Sequence, residues 1–192
     1  MRLTQDNKRE ITERIRHGAA IAFRELGYEG VSLDELMKRS GLTRGTFYAH
    51  YKSKRALFED VARHEHPLLA MLIRRPGKTA HQLKIQLLEI FEGYLNPDNL
   101  EKVFVGCSLA ALTGDVTRAP EAVKIAHGAA FDDILEEMAR GQSCTTAELV
   151  PALILASGAI WSAQAVSDKQ QKATILKTSW ASFRKQIKSI LA

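Results

Sequence analysis

A helical spacing of apolar residues runs along nearly the whole chain and limits its fold more than any other feature. Ile11, Ile15, Ala19, Ala22 and Leu26 recur at intervals of three or four residues, so we expect them on one face of a first helix. No run of alternating apolar and polar residues bounded by turn residues indicates a strand. The sequence therefore predicts an all-α protein.

Glycines and capping residues divide the N-terminal part into short helices. Gly27 is expected to end the first helix as its C-terminal glycine. Ser32 with Glu35 resembles a capping box, which predicts a helix from Leu33 to about Arg39 with Leu33, Leu36 and Met37 facing inward. Gly41 is expected to break it. Two further helices are predicted, one from Arg44 to about His50, capped by Thr43 with Phe47 in the core, and one capped by Ser53.

Proline and glycine near residue 75 suggest a boundary between a small N-terminal domain and a larger remainder. We predict a first domain over residues 1–55, a connecting helix to about residue 75, and a second domain over residues 76–192. Further helices are expected at about Thr79–Leu95, Asp98–Leu112, Pro120–Arg140, Thr145–Val166 and Asp168–Leu191. Asn96 before Pro97 predicts a cap, and Gly141 a stop.

The distribution of charge favours a polyanionic partner. The formal net charge is +5, and no acidic residue occurs between Glu35 and Glu59. Six cations fall in that gap: Lys38, Arg39, Arg44, Lys52, Lys54 and Arg55. Such a stretch in a folded segment predicts contacts with phosphates, although a charge run is often only a solvated surface.

Two short helices joined by the tight turn at residues 40–42 match helix-turn-helix geometry, in which the second helix enters the major groove. That second helix is rich in hydrogen-bonding side chains, and Gly45 permits a close approach of backbone to DNA. Arg44 is expected to reach guanine or phosphate, and Lys54 adds a positive charge near free backbone N–H groups.

The segment Val31 to Phe58, VSLDELMKRSGLTRGTFYAHYKSKRALF, resembles the signature of the TetR family of bacterial regulators. The resemblance covers about the first sixty residues and implies three N-terminal helices that bind DNA, a connecting helix, and a larger helical domain that dimerises and holds an inducer. By matching positions it implies DNA contacts for Ser32, Thr43, Arg44, Gly45, Thr46, Tyr48, His50 and Lys54, and a core role for Phe47. Tyr51 stands where the family often has phenylalanine and Arg55 where it often has an acid, which suggests a more basic phosphate clamp. Gly106 to Val116, GCSLAALTGDV, is similar to a stretch in one broad group of these regulators.

The last two predicted helices are the expected site of homodimerisation. Small residues at 156, 158, 159, 162, 163 and 165 permit close helix approach, and Leu176, Trp180, Phe183, Ile187 and Ile190 form an apolar stripe. The alternative is that both helices fill a core within one chain. A symmetric dimer would present two recognition helices about one duplex turn apart to a palindromic operator.

We assign Cys107, His127, Phe131 and Trp161 to an effector pocket in the second domain. The expected function is a repressor released by a small-molecule inducer, with activation as one alternative and a switch based on thiol chemistry at Cys107 as another. Because Val103, Phe104, Ala110 and Ala111 surround Cys107 on a helix, a packing role is favoured over redox sensing.

Other classes of function find no support in the sequence. No nucleophile lies in a catalytic motif, no glycine loop is suited to phosphate, and His64 and His66 point in different directions on a helix, so neither catalytic nor metal residues nor a cofactor are expected. Two cysteines without a CxxC pair and a polar N-terminus favour the cytoplasm. The uncharged run Leu149 to Val166 contains Pro151 and several polar residues, so we expect a buried helix and no membrane partner.

Overall fold

The computed structural model describes residues 5–191, and for residues 104–106 it describes the backbone alone. Within this part of the chain every regular element is helical, which confirms the predicted all-α class. The helices are α1 (Gln5–Gly30), α2 (Leu33–Arg39), α3 (Arg44–Tyr48), α4 (Lys54–His64), α5 (Pro67–Ile73), α6 (Ala80–Tyr94), a 3₁₀ helix η1 (Pro97–Asn99), α7 (Leu100–Gly106), α8 (Ser108–Ala111), α9 (Thr113–Arg118), α10 (Glu121–Ala139), α11 (Thr146–Gln164) and α12 (Lys169–Ile190).

The chain forms two compact units. The first comprises the residues up to His66 together with Ala111–Ala130, and the second comprises Pro67–Ala110 and the residues from Phe131 onward. The first unit thus contains a segment that is distant in sequence from the N-terminal helices. The boundary predicted near residue 76 separates the part expected to bind DNA from the part expected to bind a ligand. This functional division stays a prediction.

Two features of α1 shape the first unit. Gly27 has a φ of 74°, so the helical conformation breaks there as predicted, and residues 28–30 form a separate turn. The face that contains Ile15, Ala19 and Ala22 is buried as expected. Leu26 is 48% exposed, which contradicts its assignment to this face, because the core-facing positions next to the break are taken by Phe23 and its neighbours.

The core of the first unit joins the N-terminal helices to the segment 111–130. Phe23, Phe47 and Phe58 are fully buried in it, and Leu112 and Val116 from the distant segment are buried in the same cluster. Burial of apolar surface is the main stabilising contribution in such a core. The N-terminal helices therefore share their core with residues that follow them by about fifty positions in the sequence.

Helices α1 and α2 approach each other closely at Gly18. A Cβ atom at Gly18 would lie 2.6 Å from Oγ of Ser40 and 3.3 Å from its Cα. Ser40 is the residue that ends α2, and its hydroxyl donates to the carbonyl of Leu36 at 2.9 Å. A glycine is therefore required where α1 packs against the end of α2.

The second unit is built around α11 and α12, which pack against each other and against α6 and α7. The predicted helices at Thr79–Leu95, Pro120–Arg140, Thr145–Val166 and Asp168–Leu191 are confirmed to within about two residues at each end. The predicted cap at Asn96 is present, and Gly141 has a φ of 72° where a stop was expected. Thr79 also caps α6, which had not been predicted. The single helix expected over Asp98–Leu112 is instead divided into η1, α7 and α8.

The apolar stripe on α12 faces the core of its own chain. Leu176, Phe183 and Ile187 are fully buried, and Trp180 and Ile190 pack against the same cluster. Leu176, Phe183 and Ile187 are thus used within their own chain, as in the alternative given above, because a spacing pattern shows that a face is apolar without showing what covers it; dimerisation itself stays a prediction.

Among the described residues one helix, α11, is long and apolar enough to cross a membrane by length and composition alone. Leu149, Leu153, Ala156 and Ile160 of this helix lie in the core of the second unit. The expectation of a packed helix is met on that face.

Candidate DNA interface

A tight turn joins α2 to α3. Gly41 has a φ of 65°, its N–H donates to the carbonyl of Lys38 at 3.1 Å, and the N–H of Leu42 donates to that of Met37 at 3.0 Å. These two bonds satisfy carbonyls at the end of α2 that would otherwise lack partners. The backbone conformation at Gly41 favours glycine, which explains why the sequence breaks the helix at this residue.

Helix α3 is short, and two residues fix it in place. The side chain of Thr43 accepts from the N–H of Thr46 at 3.4 Å, so the predicted cap is present. Phe47 is 0% exposed, and its ring packs against those of Tyr48 and Tyr51. The core therefore holds α3 by one aromatic side chain and leaves its other faces open.

The sequence-predicted contact residues lie on that open side to different degrees. Five are exposed: Ser32, Thr43, Arg44, Gly45 and Tyr48, the last at 60%. Thr46, His50 and Lys54 are half-buried. Ser32 also caps α2 by accepting from the N–H of Glu35 at 3.2 Å, whereas the Glu35 carboxylate pairs with Arg39. Only the serine half of the predicted capping box is therefore formed.

Arg44 lies at the start of α3 with its guanidinium 3.6 Å from a carboxylate oxygen of Asp34. Both side chains are well exposed, so this pair contributes little to stability. A weak surface pair is easily exchanged for a phosphate or a base edge, and Arg44 is available for either contact.

His50 is held by α1. Its Nδ1 lies 2.8 Å from Oγ1 of Thr12, and the Thr12 hydroxyl donates its one proton to the carbonyl of Lys8 at 2.9 Å. The Thr12 oxygen must then accept, which places the proton of a neutral His50 ring on Nδ1. Burial, followed by the charge of Lys8, lowers the pKa of His50. A neutral ring in this tautomer has an acceptor at Nε2.

Lys54 begins α4, which Ser53 caps by accepting from the N–H of Ala56 at 3.1 Å. The Lys54 ammonium lies 4.4 Å from the centroid of the Tyr28 ring. Burial lowers the pKa of Lys54, and the charges of Glu29 and Asp115 oppose this effect. Lys54 is thus a held cation at a helix N-terminus, where anions bind favourably.

The side chain of Tyr51, which stands where the family often has phenylalanine, lies in the core. Its hydroxyl donates to Asp60 at 2.5 Å, and burial, followed by this bond, raises its pKa. Arg16 joins the network at 3.7 Å from Asp60 and 3.0 Å from Glu65. The hydroxyl that the family's usual phenylalanine lacks therefore bonds to α4, and Arg16 extends this network to α1, whereas Arg55 is exposed.

The sequence did not reveal the residues that fix the turn after α2 and two of the predicted contact residues in position. Arg14 donates to the carbonyl of Ser40 at 3.1 Å, and Thr12 and Tyr28 hold two of the predicted contact residues. Gly18 was a detectable signal, since a glycine inside an amphipathic helix often marks a close approach. The pairings of Thr12 and Tyr28 join residues far apart in sequence and leave no local pattern.

In the second unit a mostly apolar cavity of about 370 Å³ lies between α5, α6 and α7. Leu68, Met71 and Ile90 contribute apolar wall, and Glu89 and Lys102 contribute opposite charges. Tyr94 and Cys107 lie at this cavity with the tyrosine hydroxyl 2.8 Å from the sulfur, and burial strongly raises the pKa of Tyr94.

The four residues assigned to an effector pocket are not brought together. Cys107 lines the cavity just described. Phe131 packs against the core of the second unit, and Trp161 is 59% exposed. His127 belongs to the first unit, where its ring lies 6.1 Å from that of His66 and its buried Nδ1 has no hydrogen-bond partner.

Within the described part of the chain, no group of three or more His, Cys, Asp or Glu side chains is arranged to hold a metal ion. His64 is exposed and lies 3.6 Å from Asp60, whereas the buried His66 donates from Nε2 to the carbonyl of Ala62 at 2.7 Å. The two side chains thus have separate surroundings.

Comparison with known proteins agrees with this geometry. Residues 15–61 match the family model described as bacterial regulatory proteins, tetR family. A 53-residue stretch is 38% identical to the Transposon Tn10 TetC protein of Escherichia coli and covers 28% of this chain and 27% of that protein. The chain thus matches about a quarter of the length of that curated relative.

Solved structures extend the similarity to the whole fold. A TetR-family regulator from Cytophaga hutchinsonii has a TM-score of 0.73 at 19% identity, with 100% of this chain and 99% of that chain covered. The reduced form of E. coli NemR has a TM-score of 0.69 at 19% identity, with 95% and 97% covered. A TetR-family regulator from Agrobacterium tumefaciens has a TM-score of 0.65 at 19% identity, with 97% and 100% covered.

The N-terminal helices and the exposed face of α3 define a DNA-binding protein of the helix-turn-helix class. The match to the family model covers these helices, and the helical remainder has the fold of the same group of regulators. Residues 15–61 are therefore similar to the DNA-binding part of the tetR family of bacterial regulatory proteins, and the whole chain has the fold of solved regulators of that family.

Proposed function

We propose that the protein is a homodimeric repressor that binds a palindromic DNA operator and is released from it by a small molecule. The observation that carries this proposal is the position of α3: Phe47 is buried, and Thr43, Arg44 and Tyr48 face solvent. Helix-turn-helix proteins read the major groove with such a helix. The basic residues that surround it supply contacts with phosphates.

The first experiment measures operator binding. DNA fragments bound by the protein would be selected from the host genome, and the recovered site used in a mobility-shift assay. Arg44→Ala should weaken binding by about 1–3 kcal/mol if the side chain reads a base. Arg74→Ala, which removes an exposed arginine from the second unit, is the matched control and should bind as the parent does. Equal affinity of Arg44→Ala and the parent would remove Arg44 from the interface.

Dependence on salt tests the phosphate contacts separately from base reading. Each phosphate that a cation neutralises releases counterions, so affinity should fall steeply as salt rises. A flat salt response would contradict the roles of Lys54 and the neighbouring cations.

The outward face of α11 supports dimerisation. Ile154 is 56% exposed and Trp161 is 59% exposed, and Gly158 lies between them at helical spacing. Large apolar side chains on an open helix face favour contact with another protein surface. We therefore place the contact with the second copy on this face of α11 rather than on the predicted stripe of α12.

Sedimentation velocity tests this assignment. Trp161→Lys should shift the protein from dimer to monomer. Ile85→Lys changes an apolar residue that is 42% exposed on α6 and should leave the dimer intact. A dimer that survives Trp161→Lys would exclude this face.

The cavity in the second unit is the proposed effector site. Its volume and apolar walls suit a small, mostly apolar molecule, and the Tyr94 hydroxyl offers a polar contact. An effector that binds one conformation of the protein more tightly by ~1–3 kcal/mol would change DNA affinity about 5- to 150-fold. α5, which supplies Leu68 and Met71 to the cavity, follows the connecting helix α4 directly in the chain.

Release or retention of a labelled operator, with transcription in a reporter strain, would separate repression from activation.

Thiol chemistry at Cys107 is a second candidate switch, favoured by one observation. The Cys107 sulfur lies at the cavity and 2.8 Å from the Tyr94 hydroxyl, where a reactive small molecule would meet it. N-ethylmaleimide should then release DNA from the parent and from Cys144→Ser, but not from Cys107→Ser. Release from all three proteins would exclude this switch.

A cytoplasmic location is proposed with the same function, since the DNA is there.

A further inference from the structure

Lys54 does not project freely from α4. Its ammonium lies 4.4 Å from the centroid of the Tyr28 ring. That ring is itself fixed, because its centroid lies 5.7 Å from that of Phe23 and 4.7 Å from that of Phe58 in the buried core. A cation over the face of an aromatic ring is attracted by the ring's electron distribution. The core thus provides a rigid surface for a side chain that would otherwise sample many rotamers.

A residue outside the helix-turn-helix holds Tyr28 in position. The chain turns at Gly27, and the next N–H, that of Tyr28, donates to Oδ2 of Asp115 at 3.0 Å. The approach is close, since a Cβ at Gly27 would lie 3.4 Å from the same oxygen. Asp115 belongs to α9, in the segment 111–130 that packs within the first unit.

We propose that Tyr28 and Asp115 are positioning residues that hold the Lys54 ammonium ready for a DNA phosphate. This inference rests on the proposed function in DNA binding. The ring is neutral, so it does not compete with phosphate for the charge, and it covers only one side of an ammonium that has three N–H donors. A lysine held in one arrangement loses less side-chain entropy when it meets its phosphate. The segment that contains α9 thereby contributes to DNA affinity, although it lies outside residues 15–61 that match the family model.

A double-mutant cycle tests the coupling. A phosphate contact is independent of sequence, so the probe is a fluorescent 30-base-pair duplex of arbitrary sequence at low salt, followed by anisotropy. Tyr28→Leu removes the ring and keeps an apolar side chain, and Tyr28→Phe keeps the ring. We expect Tyr28→Leu to weaken binding about two- to fivefold, within the ordering cost of one long side chain, and Tyr28→Phe to bind as the parent does.

The same substitutions in a Lys54→Gln background give the decisive comparison. Lys54→Gln should weaken binding and lower the slope of log affinity against log salt by about one. In that background Tyr28→Leu should have no further effect, because the lysine that it positions is gone. A loss of equal size in both backgrounds would show that Tyr28 acts only through the fold and would overturn the inference. Tighter binding by Tyr28→Leu would show that the ring withholds Lys54 from DNA, which overturns it as well.

Asp115 is tested with a pair of variants that carry the same charge. Asp115→Asn retains an oxygen that accepts from the Tyr28 N–H, whereas Asp115→Ala does not. Asp115→Ala should bind DNA about two- to fivefold more weakly than Asp115→Asn with Lys54 present, and equally with Lys54→Gln. Urea unfolding of every variant identifies losses caused by misfolding, and the Asp115 pair completes the test if Tyr28→Leu does not fold. Equal binding by the two folded Asp115 variants would overturn the role of Asp115. A parent protein that does not bind the duplex at all would overturn the proposed function itself.

Discussion

Replacement of Gly18 by alanine has two opposing effects on the free energy of unfolding. Alanine is favoured over glycine inside a helix by about 1 kcal/mol, so the substitution would stabilise an open site. At Gly18 the added Cβ would lie 2.6 Å from Oγ of Ser40 and 3.3 Å from its Cα and N atoms. If the Ser40 hydroxyl rotates away, its bond to the Leu36 carbonyl is lost, which costs about 0.5–1.5 kcal/mol. The backbone contacts require α1 and α2 to separate, and such overpacking costs about 1–3 kcal/mol.

The steric and hydrogen-bonding losses exceed the gain in helix propensity. We therefore expect Gly18→Ala to lower the free energy of unfolding by about 1–3 kcal/mol. Gly128 is the matched control: it lies inside α10, and a Cβ there would meet nothing within 4 Å. Gly128→Ala should raise stability by about 0.5–1 kcal/mol.

Urea unfolding followed by circular dichroism, at one protein concentration for all variants, measures both changes. Opposite signs for the two substitutions would support the close approach of α1 to α2. A Gly18→Ala protein as stable as Gly128→Ala would refute the packing described for that contact.

Three further predictions concern the stability of the two units. Tyr51→Phe removes the hydroxyl that donates to Asp60 and should lower the free energy of unfolding by about 1–3 kcal/mol in a urea titration. Burial lowers the pKa of His66 to about 4, so the folded protein binds fewer protons than the unfolded chain between pH 6.5 and 4. Stability should therefore fall through this window by roughly 3 kcal/mol more in the parent than in His66→Phe, and parallel pH curves would contradict it. Thr79→Ala removes the cap that accepts from the Gln82 N–H and should cost about 1 kcal/mol, whereas an unchanged melting temperature would discount the capping box.

The sequence predicted those parts of the structure that depend on neighbouring residues. Helix ends at Ser32, Thr43 and Gly141 were identified because a cap or a left-handed turn involves residues only a few positions apart. The buried position of Phe47 followed from the same short-range pattern and from the family resemblance.

Features that depend on distant residues were not accessible in this way. The stripe on α12 was identified correctly as apolar, but whether Phe183 faced its own chain or a second copy depended on the packing of α11 and α6. The side chain of Tyr51 lies inside because Asp60, which also pairs with Arg16, accepts from its hydroxyl, and no local pattern near Tyr51 signals this partner. His127 and Trp161 were grouped by composition with residues that the fold places elsewhere.

The shared core of the first unit has a practical consequence for engineering. Leu112, Val116 and Val123 complete the cluster around Phe23 and Phe58, so a fragment cut after His66 would expose an apolar surface to water. A chimeric regulator that joins this DNA-binding head to a foreign sensor at the α4–α5 junction would leave that surface bare. A chimera should instead keep residues 111–130 together with the N-terminal helices. The foreign sensor would then be inserted in two pieces, one before and one after that segment.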